Sequence, residues 1–195
     1  MKALARSMVH TKEIKGANVL NNGFDSDYTG GDGVELFSTA HPTSSGNQSN
    51  ELATAADFSE TSLEQILINI SNMDDDRGIP IAAMARCLII PTALQFDAER
   101  VLNSNLRSGT AENDINANMS MGMLPEGVKV NQRLTDTDAW YIKTDVPDGM
   151  KMFQRRPLKK GMEGDFESGN VRYKVSERYS FGWTDWRGMF GSPGA

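Results

Sequence analysis

The sequence predicts an α+β protein, and three stretches carry that expectation. From Phe58 to Ile70 the residues Leu63, Ile66, Leu67 and Ile70, with Met73 beyond them, fall on one helical face. Cys87–Leu102 reads as a short aliphatic strand, then Pro91, then a helix whose Leu94, Ala98, Val101 and Leu102 share a side. Val171–Trp183 alternates at period two over a run far longer than the usual strand of about five or six residues.

At 195 residues the chain is long enough to bury a proper core. Its formal charge is −6, but the charge is uneven. Residues 151–195 hold nine basic and five acidic side chains, net +4, which leaves −10 for the first 150. That asymmetry reads first as a normally solvated surface and second as copies packing basic tail to acidic neighbour, while the moderate, net acidic charge does not mark a general nucleic-acid binder. Cys87 is the only cysteine, so no disulfide framework holds the fold, and in an aliphatic strand it reads as inert core. No apolar run approaches the roughly 18 residues of a membrane span, and no signal-peptide pattern opens the chain. The expectation is a soluble protein made in a reducing compartment.

In chain order, Met1–Asn22 is rich in helix formers and meets a stop at Asn21-Asn22-Gly23, but its helical pattern begins without a cap. Residues 25–57 are dominated by turn chemistry, with one strand candidate at Val34–Phe37. The next helix has capping-box candidates in Thr61 with Glu64, or Ser62 with Gln65. After the strand–proline–helix corner come a polar Asn-rich loop, Ser108–Met123, and strands at Val128–Val130, Trp140–Thr144, Met150–Arg155 and Val171–Trp183. In the last, odd positions are apolar except Glu177. A strand that long would offer its edge to another chain.

No catalytic set emerges from the motifs. His10 and His41 are the only histidines and stand at no metal-ligand spacing. Asp74-Asp75-Asp76 with Gly78 lacks the alternation and closing Glu of a calcium loop. Gly30-Gly31-Asp32-Gly33 lacks the strand and Lys of a phosphate cradle. Lys151–Lys160 is the one basic cluster, read first as an inter-subunit or solvent-facing stretch and second as a weak nucleic-acid contact. The strand–proline–helix corner has Thr92 as its only hydroxyl and no oxyanion turn, so it reads as core. On that reading Ile89→Asp unfolds the domain and abolishes assembly, while Cys87→Ser costs little.

Four features together resemble the major capsid (major head) protein of tailed bacteriophages, in the Mu-like branch of the Hong Kong 97-type fold. They are Ala17–Phe24 followed by Gly33–Pro42, and Leu88–Leu94 running on to Asn103-Ser104-Asn105. The others are Asn113–Asn116 with Asp138–Tyr141, and Glu177-Arg178 closing in Asp185–Gly188 and Gly191-Ser192. The likeness spans essentially the whole chain.

The resemblance implies an α+β shell protein with a peripheral domain over residues 1–57 and 150–195 and an axial domain over 58–149. It implies self-assembly into hexamers and pentamers, packaged DNA met only non-specifically, scaffolding, portal or decoration proteins as further partners, no membrane and no cofactor. Family members normally begin with an extended arm, a hairpin arm and the start of the long helix. None precedes Met1, so the expectation is a chain without that front part. Candidate subunit contacts are the loops 25–49 and 108–123 and the stretch 151–160. By residue they are His41, Asn113, Asn116, Lys151, Arg155, Arg156, Lys159, Lys160, Glu177, Arg178, Trp186 and Arg187. A shell enclosing enzymes, as in encapsulins, is a neighbouring reading. The reading from a different class is a hydrolase or metal-dependent enzyme using His41 and Asp74–Asp76; against it, His41→Ala is expected to leave fold and assembly intact.

Overall fold

A computed structural model describes residues 2–107, 114–164, 166–167 and 169–195. Helix α1 (Lys2–Asn21) leads into the long loop, which holds a two-stranded hairpin, β1 (His41–Thr43) and β2 (Gly46–Gln48). Then follow α2 (Glu60–Ser71), β3 (Ala85–Ile90), a 3-10 turn, α3 (Gln95–Asn103), α4 (Ala117–Met121), β4 (Val128–Val130) and β5 (Trp140–Thr144). The chain ends in two long strands, β6 (Met150–Gly164) and β7 (Val171–Trp183), a second 3-10 turn, and β8 (Met189–Ser192).

A four-stranded sheet in the order β4-β3-β5-β8 forms the centre. Only β3 and β4 run parallel, and the intervening α3 and α4 supply the crossover that a parallel pair requires. Both sheet faces are buried, so strand residues alternate between two cores. Leu88, Ile90, Trp140, Ile142 and Phe190 face α2 and α3. Ile89, Ala139, Tyr141 and Met189 face the C-terminal end of α1 and the loop residues Leu36 and Phe37. On that second side Phe24, Phe37 and Tyr141 form an aromatic cluster, with Phe37 and Tyr141 ring centroids 5.3 Å apart. Tyr141 donates its hydroxyl to the Leu20 carbonyl, and burial pushes its pKa well up.

The corner at Cys87–Leu102 is core, as the sequence indicates. Cys87, Leu88, Ile90 and Ala98 are buried, and Leu94, Val101 and Leu102 pack onto the same cluster. Burial also pushes the Cys87 thiol pKa up, away from the reactive thiolate.

Among the described residues, strands β6 and β7 pair only with each other, from Met150↔Trp183 at the base to Gly164↔Val171 at the far end. At about 3.3 Å per residue this two-stranded ribbon is roughly 45 Å long. Its base crosses the second 3-10 turn at two glycines. A Cβ on Gly188 would sit 2.5 Å from the Gly149 Cα, so neither backbone tolerates a side chain there.

Several expectations are corrected. Val34–Phe37 is not a strand, although Leu36 and Phe37 are buried. Its backbone is satisfied without a ladder: the Phe37 N–H donates to the Gly23 carbonyl, and the Leu36 carbonyl accepts from Asn50. The cap of α2 is Ser59, whose hydroxyl accepts from the Ser62 N–H while Ser62 accepts from the Ser59 N–H. Part of the Asn-rich loop is helix α4, capped by Asn116 and stopped by Gly122 at φ 62°. Strand β6 runs nine residues past Arg155, its pairing irregular on both sides of Arg156, where Pro157 supplies no N–H.

Candidate functional site

Two assemblies of polar side chains stand out, one buried in the body and one spread along the ribbon. The buried one is centred on Asn50, which sits where the long loop meets the last turn of the chain. Its Nδ2 donates to the carbonyls of Leu36, Trp186 and Met189 at 2.7, 3.3 and 3.1 Å. Those three acceptors fix the amide orientation. Its Oδ1 therefore accepts from the Ser38 N–H at 2.9 Å and faces His41 Nε2 at 3.1 Å. His41 Nδ1 donates to Asp32 Oδ2 at 2.7 Å. Both ring nitrogens thus face oxygen atoms of their own chain.

The fully buried His41 ring stacks on Trp186, and the Arg187 guanidinium lies 4.4 Å from the centroid of the same indole. Arg187 then spends its donors inside the chain. Nη2 reaches Asp76 at 2.7 Å and Gln48 at 3.3 Å, Nε donates to the Asp74 carbonyl at 3.0 Å, and Nη1 lies 3.6 Å from Asp185. The network ties together β1–β2, the turn after α2 and the entrance to β8. His41 and Asp76, offered by the sequence as enzyme residues, are held by separate partners: His41 by Asp32 and Asn50, Asp76 by Arg187. Asp75 closes its own turn, accepting from the Arg77 and Ile79 N–H groups, which hold its carboxyl below the usual range. Among the described residues no three His, Cys, Asp or Glu side chains are grouped to hold a metal ion.

The ribbon presents the opposite picture. Arg155, Lys159, Lys160 and Arg178 are exposed along it, and Arg156 is half-buried directly across from Arg178. Lys151 pairs with Asp148 at the base. Glu177, the one acidic break in the apolar alternation, is turned onto α1 and pairs there with Lys12, its side chain only 3% exposed. Lys12 also lies 5.2 Å from the Tyr179 ring centroid, and Gly16 abuts the Phe181 ring, so α1 and β7 pack face to face.

Of the twelve residues proposed from sequence, five are thus turned into their own chain: His41, Trp186, Arg187, Glu177 and Asn116, which caps α4 and donates to the Val101 carbonyl. Asn113 lies outside the described residues. Sequence reasoning missed Asp32, Asn50, Gln48 and Lys12. Only Lys12 had a signal, since the misplaced Glu177 implied a cation opposite it.

A sequence family described as phage capsid protein matches residues 1–191. The chain belongs to the phage capsid protein family. Among solved structures, this capsid protein is similar to a phage-related protein from Bordetella bronchiseptica RB50, at 9% identity and TM-score 0.53, over 97% of this chain and 62% of that one. It is similar to the capsid of Myoviridae phage XM1 at 15% identity and TM-score 0.50, over 100% and 66% of the two chains. A virus-like particle from Pyrococcus furiosus matches at 14% identity and TM-score 0.46, over 73% and 55%. The chain therefore spans between about half and two thirds of the length of these structures. At such identities the likeness shows the fold, an α+β capsid fold. No curated protein matches. The family makes this chain a structural protein of the virion capsid.

Proposed function

We propose that many copies of this capsid protein tile into the closed icosahedral shell of a phage head, grouped as hexamers and pentamers around DNA that they touch only non-specifically. The observation that carries this reading is the β6–β7 ribbon. Among the described residues its strands of 15 and 13 residues pair with no other strand, and Met152, Phe153, Met162, Val171 and Tyr173 stand exposed along it. Apolar side chains in that number on a projecting hairpin mark a surface that another chain covers.

In this reading residues 1–57 and 150–195 form the peripheral part of the subunit and 58–149 the axial part. The packing of α1 along β7 supports the first grouping, and the two parts share the central sheet through β8. Exposed Arg155, Lys159, Lys160 and Arg178 serve as subunit contacts. Scaffolding, portal or decoration proteins join later, and synthesis takes place in the cytoplasm of the bacterial host.

Negative-stain microscopy of the concentrated protein tests the proposal. Capsomers, sheets or shells are expected, and a chain that stays monomeric at high concentration contradicts it.

A further inference from the structure

The ribbon carries a charge arrangement that its own chain leaves unresolved. Arg156 and Arg178 are direct cross-strand partners, and like charges in that position repel. Neither makes an ion pair among the described residues, nor do Arg155, Lys159, Lys160 and Lys174. The Arg156 Nε is buried and has no hydrogen-bond acceptor. A guanidinium pair held this way on a projecting ribbon is shaped for carboxylates supplied from outside.

The chain itself offers such carboxylates on another surface. Between Gly16 and Asp76 there are eleven Asp and Glu residues and no Lys or Arg. Within that stretch Glu35 and Glu51 are half-buried close to each other, and neither forms an ion pair with a Lys or Arg among the described residues. Burial and the neighbouring Glu35 together raise the Glu51 pKa, a sign of crowded negative charge. Glu51 lines a polar groove of about 470 Å³ together with Gln48, Asn69, Asn72 and Asp74.

We propose that the Arg156–Arg178 step of the ribbon docks into the groove lined by Glu51 and Asp74, with Glu35 close beside Glu51, on a second copy of this chain. The inference rests on the shell reading and names one of its contacts. The two surfaces are different, so the contact is head-to-tail, and a rotation that closes it yields a ring of subunits. Duplex DNA is the other anion the ribbon could meet. The cations are interleaved with Phe153, Met162 and Tyr173, however, which suit a protein surface better than a phosphate backbone.

Charge reversal separates the outcomes. One variant carries Arg156→Glu and Arg178→Glu, the other Glu35→Lys and Glu51→Lys. Sedimentation velocity is run on wild type, on each variant and on their equimolar mixture, with circular dichroism to verify folding. Each variant alone is expected to associate at least roughly tenfold more weakly than wild type, because its two surfaces then carry the same sign. The mixture is expected to recover association, since each surface again meets its opposite. If the ribbon variant misfolds, Lys159→Glu with Lys160→Glu replaces it in the same scheme. Wild-type association by either variant alone overturns the inference. So does a mixture that fails to recover, and with loss of duplex DNA binding by the ribbon variant it assigns the ribbon to nucleic acid. A wild-type chain that never associates instead overturns the shell reading beneath it.

Discussion

The imidazole of His41 lies flat on the indole of Trp186, with ring centroids 4.2 Å apart and planes 4° from parallel. This stack joins the loop after α1 to the last turn of the chain, across 145 residues of sequence. The ring is fully buried and hydrogen-bonded at both nitrogens. His41→Ala therefore leaves a cavity against Trp186 and strips buried Asn50 and half-buried Asp32 of a partner. The expected cost is about 2–4 kcal/mol in chemical denaturation, which reverses the sequence-based expectation of an intact fold. An unchanged denaturation midpoint would show that the stack carries no stability.

The glycine crossing at the ribbon base gives a sharper steric test. Gly188→Ala places a methyl group 2.5 Å from the Gly149 Cα, so one backbone must move. A loss of about 1–3 kcal/mol is expected, of the size seen for overpacking. Gly31→Ala meets nothing within 4 Å and serves as the control, with a change near zero. Equal melting temperatures for the two variants would rule out the close crossing.

Lys12 and Glu177 lock α1 to β7 in a part-buried ion pair. Replacing Glu177 by Leu continues the apolar stripe but leaves Lys12 without its carboxylate. Lys12→Met alone leaves Glu177 charged and enclosed. Each single variant is expected to be less stable than wild type, and the double variant to return close to it. A double-mutant cycle should give a coupling of about 1–3 kcal/mol. Additive losses would mean the pair is not formed.

Glu51 supplies a pH test in dilute protein. Its folded pKa lies above the ordinary carboxylate value, raised by burial and by Glu35 and only partly offset by His41 and the Thr39 backbone. Between those two pKa values the folded chain binds more protons than the unfolded one, so stability falls as pH rises through that window. Above it the full cost of the buried charge is present. Glu51→Gln should therefore melt higher than wild type at neutral pH, and the gain should vanish below the ordinary carboxylate range. A gain independent of pH would argue against a titration origin.

Much of the fold was legible because burial on one or both faces writes a period into the sequence. The four buried apolar residues of α2, Met73 just beyond it, and the limits of β4, β5 and β7 follow from that alone. Strand β8 was not legible, since Met189-Phe190-Gly191-Ser192 is short and ends in residues typical of turns, and only pairing with β5 makes it a strand. The extension of β6 escaped for a related reason. Lys159, Lys160 and Gly161 have little strand propensity, and the partner strand β7 imposes the conformation. At the candidate site the exposed cations of the ribbon were readable as a basic cluster. The Asn50–His41–Trp186–Arg187 network was not, because its members come from two stretches far apart in the chain and a single sequence carries no record that they meet.

The central claim is that the projecting ribbon makes this chain an assembling subunit. At the ribbon base the Thr184 N–H donates to the Gly149 carbonyl at 3.2 Å, so a short turn can replace residues 151–182 without stretching the body. Sedimentation velocity over a concentration series, on the full chain and on this ribbonless form, tests the claim most directly. The full chain should form large assemblies while the ribbonless chain stays a folded monomer. A full chain that remains monomeric, or a ribbonless chain that assembles equally well, would contradict it.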